Sequence, residues 1–229
     1  MRAYTGWIRE VRRVPGGQAA WIECPPQAVP AAGRYLLAAA ENSILSTPLY
    51  LSQVQAGGFL AAPPLPLHWQ PGERLNLRGP LGQGFSPPEG VQRLALAALG
   101  DTLARLLPLV DVSDSRDISI AIFTDATLPS LPTSLEASPL SALPEALAWA
   151  DFLALDISPD RLPDLRASLG LGGGQRLPCP GQALVLSPMP CGGLADCGVC
   201  ALPARRGYRL LCKDGPVVEL AELVEVASR

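Results

Sequence analysis

Hydrophobic and polar positions alternate over short stretches in the first part of the chain. Apolar or alternating runs cover residues 4–14, 19–24, 33–40, 44–54, 59–62 and 73–78, and most prolines and turn glycines fall between them. The run from Glu73 to Arg78 alternates polar side chains with leucine, which is typical of a strand with one buried face. Regularly spaced short strands with turn signals between them predict a small antiparallel β-barrel.

The pattern changes after Pro87-Pro88. Strand-like apolar runs at 94–99, 118–123 and 152–157 alternate with helix-forming segments at 102–107, 141–150 and 160–169. This alternation predicts an α/β unit with a parallel sheet. We therefore expect three regions, which are a β-barrel domain in 1–88, an α/β domain in 89–186 and a cysteine-bearing tail in 187–229.

Composition excludes several classes of function. The chain has 229 residues, 48% of them hydrophobic and 17% charged, which indicates a globular protein. A net charge of -3, no basic stripe and 5% aromatic residues argue against a nucleic-acid partner. The single histidine, His68, excludes a three-histidine zinc site and a Rieske cluster. Neither a signal peptide nor an apolar membrane span is evident, so we expect a cytoplasmic protein.

Four of the six cysteines crowd the end of the chain. Cys191, Cys197, Cys200 and Cys212 follow the spacing C-x5-C-x2-C-x11-C. Plant-type [2Fe–2S] ferredoxins use C-x4-C-x2-C and a distant fourth cysteine, so this chain has one extra residue in the first gap. Glycines at 192, 193 and 198 allow positive φ angles that turn backbone N–H groups toward cluster sulfurs. The spacing predicts a [2Fe–2S] cluster with these four cysteines as ligands.

Other interpretations of the cysteines stay open at this point. A structural zinc site usually presents two CxxC knuckles, and only Cys197 and Cys200 form one here. Disulfides are rare in the expected compartment, and unligated cysteines seldom cluster in this way. Cys24 and Cys179 lie beside prolines and are interpreted as ordinary small apolar residues. No side chain is expected to act as a catalytic acid, base or nucleophile.

Three stretches carry a resemblance to a known family. The loop Cys191-Gly192 with Cys197-Gly198-Val199-Cys200, the segment 212–217 and the segment 72–85 resemble the electron-transfer subunits of dihydroorotate dehydrogenase, within the ferredoxin-reductase-like flavoproteins. The resemblance implies a flavin-binding barrel, a nucleotide-type α/β domain and a [2Fe–2S] tail. It also implies FAD, electrons from NADH and a partner redox enzyme such as a dihydroorotate-dehydrogenase-like catalytic subunit of pyrimidine biosynthesis.

The sequence departs from this family where the flavin and the nicotinamide would bind. The family's flavin strand carries arginine, proline, an aliphatic residue and serine, and the matching positions here are Thr47, Pro48, Leu49 and Tyr50. The arginine that meets the flavin pyrophosphate is therefore absent, which weakens FAD binding. The proline-rich segment 63–71 offers no helix N-terminus to an anion.

The turn after the first α/β strand differs as well. It has a single glycine, Gly100, followed by Asp101, whose charge would repel a phosphate. We therefore expect NAD(P)H binding to be weak or absent.

Together these features predict an electron-transfer protein that relays electrons from a flavin through a [2Fe–2S] cluster to a partner enzyme. We expect the partner to dock around residues 192–199, because a short glycine-rich loop has few side chains to cover a cluster. The alternative is a non-enzymatic scaffold that zinc or a cluster stabilises, with relic cofactor sites.

Overall fold

A computed structural model describes residues 2–41, 43–114, 118–128, 135–204 and 207–226. Within these ranges six strands close into an antiparallel barrel in the order β1-β2-β5-β4-β3-β6. They are β1 (Ala3–Val14), β2 (Gly17–Glu23), β3 (Tyr35–Ala40), β4 (Thr47–Gln55), β5 (Gly58–Ala61) and β6 (Arg74–Leu81). The barrel predicted from the alternating runs is confirmed.

Alternation along the strands builds the barrel core. In β6, Leu75 and Leu77 are buried while Arg74 and Asn76 are exposed. Both leucines belong to one buried cluster with Ile8, Leu49 and Phe59 inside the barrel. One face of each strand therefore fills the interior, as a small closed barrel requires.

A second sheet of the described residues has the order β14-β11-β10-β7-β8-β9. Its central strands β7, β8 and β10 run parallel, and every residue of β10 is buried because both faces of the sheet are covered. The predicted parallel α/β unit is thus confirmed. The strands are β7 (Arg93–Leu99), β8 (Ser119–Thr124), β9 (Ala137–Ser138), β10 (Phe152–Ile157), β11 (Gly181–Val185) and β14 (Val217–Glu219).

The remaining elements are short. The α-helices are α1 (Leu107–Asp114), α2 (Leu143–Ala146), α3 (Leu165–Ser168), α4 (Leu211–Asp214) and α5 (Leu220–Val226). The strands β12 (Ala201–Pro203) and β13 (Tyr208–Leu210) pair as a two-stranded antiparallel ribbon. Short 3-10 helices cover Pro26–Ala28, Leu140–Ala142 and Pro159–Asp164. None of the helices in the described ranges has the length and apolar character needed to cross a bilayer.

The helix predicted over 102–107 is wrong. Residues 103–106 form a turn, in which the Leu106 N–H donates to the Leu103 carbonyl, and α1 begins only at Leu107. The cause is Arg105, whose side chain is buried in an ion pair and so fixes the backbone in this turn. Tertiary contacts override helix propensity here.

The division at residues 88 and 186 stays a prediction. The structure adds one tie between the last two regions, since β14 of the tail pairs antiparallel with β11. A second tie joins the barrel to the sheet, because the Arg105 guanidinium donates a hydrogen bond to the Pro63 carbonyl.

Candidate functional site

Two neighbouring segments of the tail carry the four cysteines of the predicted cluster. Cys191, Cys197 and Cys200 lie on the loop that follows β11, and Cys212 lies in α4. The loop turns through positive φ at Gly192 (65°), Gly193 (75°), Ala195 (65°) and Gly198 (70°). The conformations expected of the three glycines are therefore confirmed.

The thiols of neighbouring cysteines act on one another electrostatically, Cys197 on Cys191 and Cys200 on Cys212. The Cys212 N–H also lies 3.5 Å from the Cys200 sulfur. Cys200 and Cys212 are buried, Cys191 is half-buried and Cys197 is exposed. Within the described residues, no three His, Cys, Asp or Glu side chains converge as ligands of a single metal ion.

Backbone N–H groups of the loop point at two of the sulfurs. The N–H of Asp196 lowers the pKa of Cys191 to about 6, with smaller contributions from Cys197 and Leu194. The Ala195 N–H acts in the same direction on Cys212, but burial and the neighbouring Cys200 raise that pKa to about 12. The loop thus stabilises negative charge on the Cys191 sulfur, whereas burial opposes it on Cys212.

Two buried tyrosines lie beneath this loop. The Tyr35 hydroxyl donates a 2.8 Å hydrogen bond to the Cys212 carbonyl. Tyr35 and Tyr50 are opposite each other on β3 and β4, with ring centroids 6.1 Å apart. Burial raises the pKa of both phenols, so both are neutral. Among the described residues the Tyr50 hydroxyl has no hydrogen-bond partner.

A cleft of about 340 Å³ lies beside Tyr50, between the barrel and the second sheet. Thr47, Pro48 and Tyr50 line it from β4, whereas Leu49 points into the barrel core. All of its lining residues are uncharged: Thr47, Pro48, Tyr50, Ala62, Pro63, Pro64, Pro159, Leu186, Ser187 and Pro188. The cleft suits a flat uncharged ring and offers no cation to a phosphate.

The segment beside this cleft has no free backbone donor either. Prolines at 63, 64 and 66 lack an N–H, and the N–H of Leu65 already bonds to the Gln18 carbonyl. The residues present therefore fit the ring of a flavin but not the pyrophosphate of complete FAD.

A buried ion pair occupies the carboxyl ends of β7 and β10. Nucleotides bind at this kind of switch point in open α/β sheets. Here Arg105 donates to Asp156 at 2.8 Å, and their side chains are only 5% and 2% exposed. Burial raises the pKa of Asp156, while the Arg105 charge opposes that shift. The pair had no place in the sequence analysis, although a lone aspartate in the apolar strand Phe152–Ile157 was a signal for it.

Carboxylates line the adjoining cavity of about 420 Å³. Asp101, Asp125 and Asp160 contribute to it, with Arg105 and Arg161 as the basic members. Asp101 is thus placed where the sequence analysis put it, beside the turn after β7. The weak NAD(P)H binding that we expect stays a prediction.

The cysteines outside the cluster pattern lie in apolar surroundings. Cys24 belongs to the barrel core and Cys179 to the core around the second sheet. Burial raises the pKa of Cys24 to about 11 and raises that of Cys179. Both positions agree with a role as small apolar residues. His68 lies in an exposed turn of the described chain.

No protein-family model matches the chain, and no curated protein matches it. Several solved structures do match the chain. The NADH-dependent reduced ferredoxin-NADP oxidoreductase of flavin-based electron bifurcation superposes with a TM-score of 0.72 at 14% identity, over 95% of this chain and 88% of that one.

Two further structures share most of the architecture. The ferredoxin reductase in carbazole 1,9a-dioxygenase gives a TM-score of 0.57 at 18% identity, over 75% of this chain and 66% of that one. The flavohemoglobin from Malassezia yamatoensis, solved with bound FAD and heme, gives 0.54 at 14% identity, over 75% and 58%. The ferredoxin-reductase-like fold expected from the resemblance is confirmed, and the likeness to dihydroorotate dehydrogenase subunits stays a prediction.

Proposed function

We propose that this chain, whose fold is ferredoxin-reductase-like, carries a [2Fe–2S] cluster on Cys191, Cys197, Cys200 and Cys212 and passes single electrons from a flavin to a partner redox enzyme. The observation that carries the proposal is the meeting of the cysteine loop with α4, which brings the Cys212 N–H to 3.5 Å from the Cys200 sulfur while Cys191 and Cys197 lie on the same loop. A cluster with two irons takes two thiolates on each iron.

The protein's own part in this function is to hold and shield the centre. Burial of Cys200 and Cys212 keeps water from one side of it, and the N–H groups of Leu194, Ala195 and Asp196 point at sulfur. Burial and hydrogen bonds to sulfur are the means by which proteins set the potential of such clusters. When bound, the cluster itself supplies the one-electron chemistry.

The flavin side of the proposal follows from the cleft beside Tyr50. Thr47, Pro48 and Tyr50 fit a flat ring, but no cation lines the cleft to meet the pyrophosphate of FAD. We therefore assign the electron-donating flavin to a partner protein. The buried Arg105–Asp156 pair supports weak NAD(P)H binding, since the position used by nucleotides in such sheets is filled by side chains.

The loop also offers a surface for the electron acceptor. Cys197 is exposed, and Leu194 and Val199 on either side of it are 58% and 55% exposed. Apolar side chains around an exposed centre favour docking of another protein. By resemblance, we propose a dihydroorotate-dehydrogenase-like catalytic subunit as that partner.

Metal analysis of matched cysteine variants tests the proposal. Full-length protein purified without oxygen should contain about two irons and two acid-labile sulfides per chain. Cys200→Ser should abolish this content, whereas Cys179→Ser should retain it. The control is matched, because both residues are buried cysteines, 2% and 7% exposed. Zinc without sulfide would support the scaffold alternative, and equal behaviour of the two variants would refute the ligand assignment.

A further inference from the structure

Arg78 is a cation without a partner of its own on the described part of the chain. It lies on β6 and is half-buried. Neither the ion pairs nor the side-chain hydrogen bonds of the described residues include its guanidinium, whereas Arg34, on the neighbouring turn, donates to the Gly82 carbonyl. A partly buried charge is stabilised by an opposite charge, so the surroundings of Arg78 need explanation.

The guanidinium lies directly against the first turn of the cysteine loop. A Cβ atom added to Gly192 would be 2.8 Å from Arg78 Nη2 and 3.8 Å from Arg78 Cζ. Gly192 follows Cys191 in the chain and has φ +65°. Because glycine has no side chain, this position permits both the turn and the close approach of the guanidinium.

The neighbouring glycine connects this position to the fourth cysteine. A Cβ atom added to Gly193 would be 3.2 Å from the Tyr35 hydroxyl, which itself bonds to the Cys212 carbonyl. Arg78 and Tyr35 therefore flank the same two-glycine turn, with Cys191 on one side and Cys212 on the other. The cation is placed beside the centre rather than at the solvent edge of the barrel.

We propose that Arg78 is the counter-charge of the cysteine centre and raises the reduction potential of the cluster held there. The inference rests on the proposed function. A cluster with four thiolates is anionic, and the electron that it accepts makes it more negative. A fixed cation therefore stabilises the reduced form more than the oxidised form. Arg78 acts through the field at the cluster, so it is a positioning residue and not a catalytic one.

Redox titration of the full-length, iron-loaded protein with dithionite tests this role. Arg78→Gln should lower the equilibrium constant for reduction at least tenfold, which is about 59 mV for a one-electron couple. Arg78→Lys keeps the charge and should retain most of the original potential. Lys213→Gln is the matched control, because Lys213 adjoins Cys212 but is exposed, where water screens its charge. It should change the constant less than threefold.

Iron and sulfide content separates failure of the inference from failure of the proposed function. Absence of the cluster from the unaltered protein would refute the function. Full cluster content with an unchanged potential in Arg78→Gln would refute the role of Arg78. If Arg78→Gln holds no iron, Arg78→Lys decides: retained iron at the original potential supports the counter-charge, and lost iron or a lowered potential overturns it.

Discussion

The cysteine loop and the crevice between β7 and β10 differ in whether their charged groups have partners. At the cysteine loop the charged and polar groups are available: the thiols, the N–H groups aimed at sulfur and Arg78, which has no ion-pair partner among the described residues. At the crevice between β7 and β10 the charges satisfy each other, since Arg105 binds Asp156 and the Pro63 carbonyl. Polar groups without partners are available to bind a ligand, whereas groups that bind each other stabilise the fold instead.

The difference between the two regions bears on which cofactor the chain can bind. Its neighbours by fold include a flavohemoglobin with bound FAD, yet in this chain only uncharged residues line the cleft beside Tyr50. Fold alone therefore does not fix the cofactor, and the side chains at each site decide it.

Breaking the buried ion pair in the crevice between β7 and β10 should have the largest effect, which is a loss of unfolding free energy. Arg105→Ala leaves Asp156 buried without its partner, and breaking a buried pair in this way costs about 3–5 kcal/mol of unfolding free energy. Arg93→Ala breaks the exposed pair with Asp151, whose charges water screens, and should cost far less. Chemical denaturation of the two variants measures the difference. Equal losses would show that the crevice is not held by its ion pair.

Replacing glycines of the cysteine loop by alanine should have a smaller effect, which is a faster loss of iron. Ala at Gly193 meets both a positive φ and the Tyr35 hydroxyl 3.2 Å away, whereas Ala at Gly198 meets the same φ with open space around it. The φ alone costs about 1–2 kcal/mol in each variant. Gly193→Ala should therefore lose iron to a chelator faster than Gly198→Ala. The reverse order would mean that the packing beneath the loop does not hold the centre.

A series of flavins sharpens the comparison at the cleft. Fluorescence titration should show that FAD binds no tighter than riboflavin, because its phosphates gain no charged contact. Thr47→Arg supplies the missing cation and should strengthen FAD binding about tenfold over riboflavin, as a hydrogen bond to a charged group would. Tight, FAD-selective binding by the unaltered chain would contradict the assignment of the flavin to a partner.

Thiol labelling gives the smallest expected effect. In the metal-free chain, the Cys191 pKa of about 6 leaves the thiolate dominant above that pH, so alkylation should rise from pH 5 to 7 and then level off. Cys24, whose pKa is about 11, should react slowly across this range. Peptide mass mapping measures both rates. A Cys191 rate that keeps rising above pH 8 would show that the Asp196 N–H does not stabilise its thiolate.

The sequence predicted those features that depend on local pattern. Alternating leucines indicated β6 and apolar runs indicated β7, β8 and β10, because burial on one face leaves an alternating pattern and burial on both faces leaves a continuous apolar run. The cysteine spacing likewise marked one loop and one later segment as neighbours. Gly192, Gly193 and Gly198 were predicted to turn the loop, since only glycine adopts these φ values freely.

Long-range contacts between side chains escaped the sequence analysis. Arg105 and Asp156 are 51 residues apart. The lone aspartate in β10 indicates a buried charge, but nothing local identifies Arg105 as its partner or predicts the loss of helix at 103–106. Arg78 looked like the polar end of an alternating strand, and its place beside Gly192 arises only from closure of the barrel. Such pairs depend on topology rather than on periodicity.

A reductive titration of the anaerobically purified protein tests the central claim most directly. We predict two irons and two sulfides per chain, and uptake of one electron per chain that bleaches the visible absorption of the cluster. A colourless protein that takes up no electron, or one whose four cysteines hold zinc, would contradict the account.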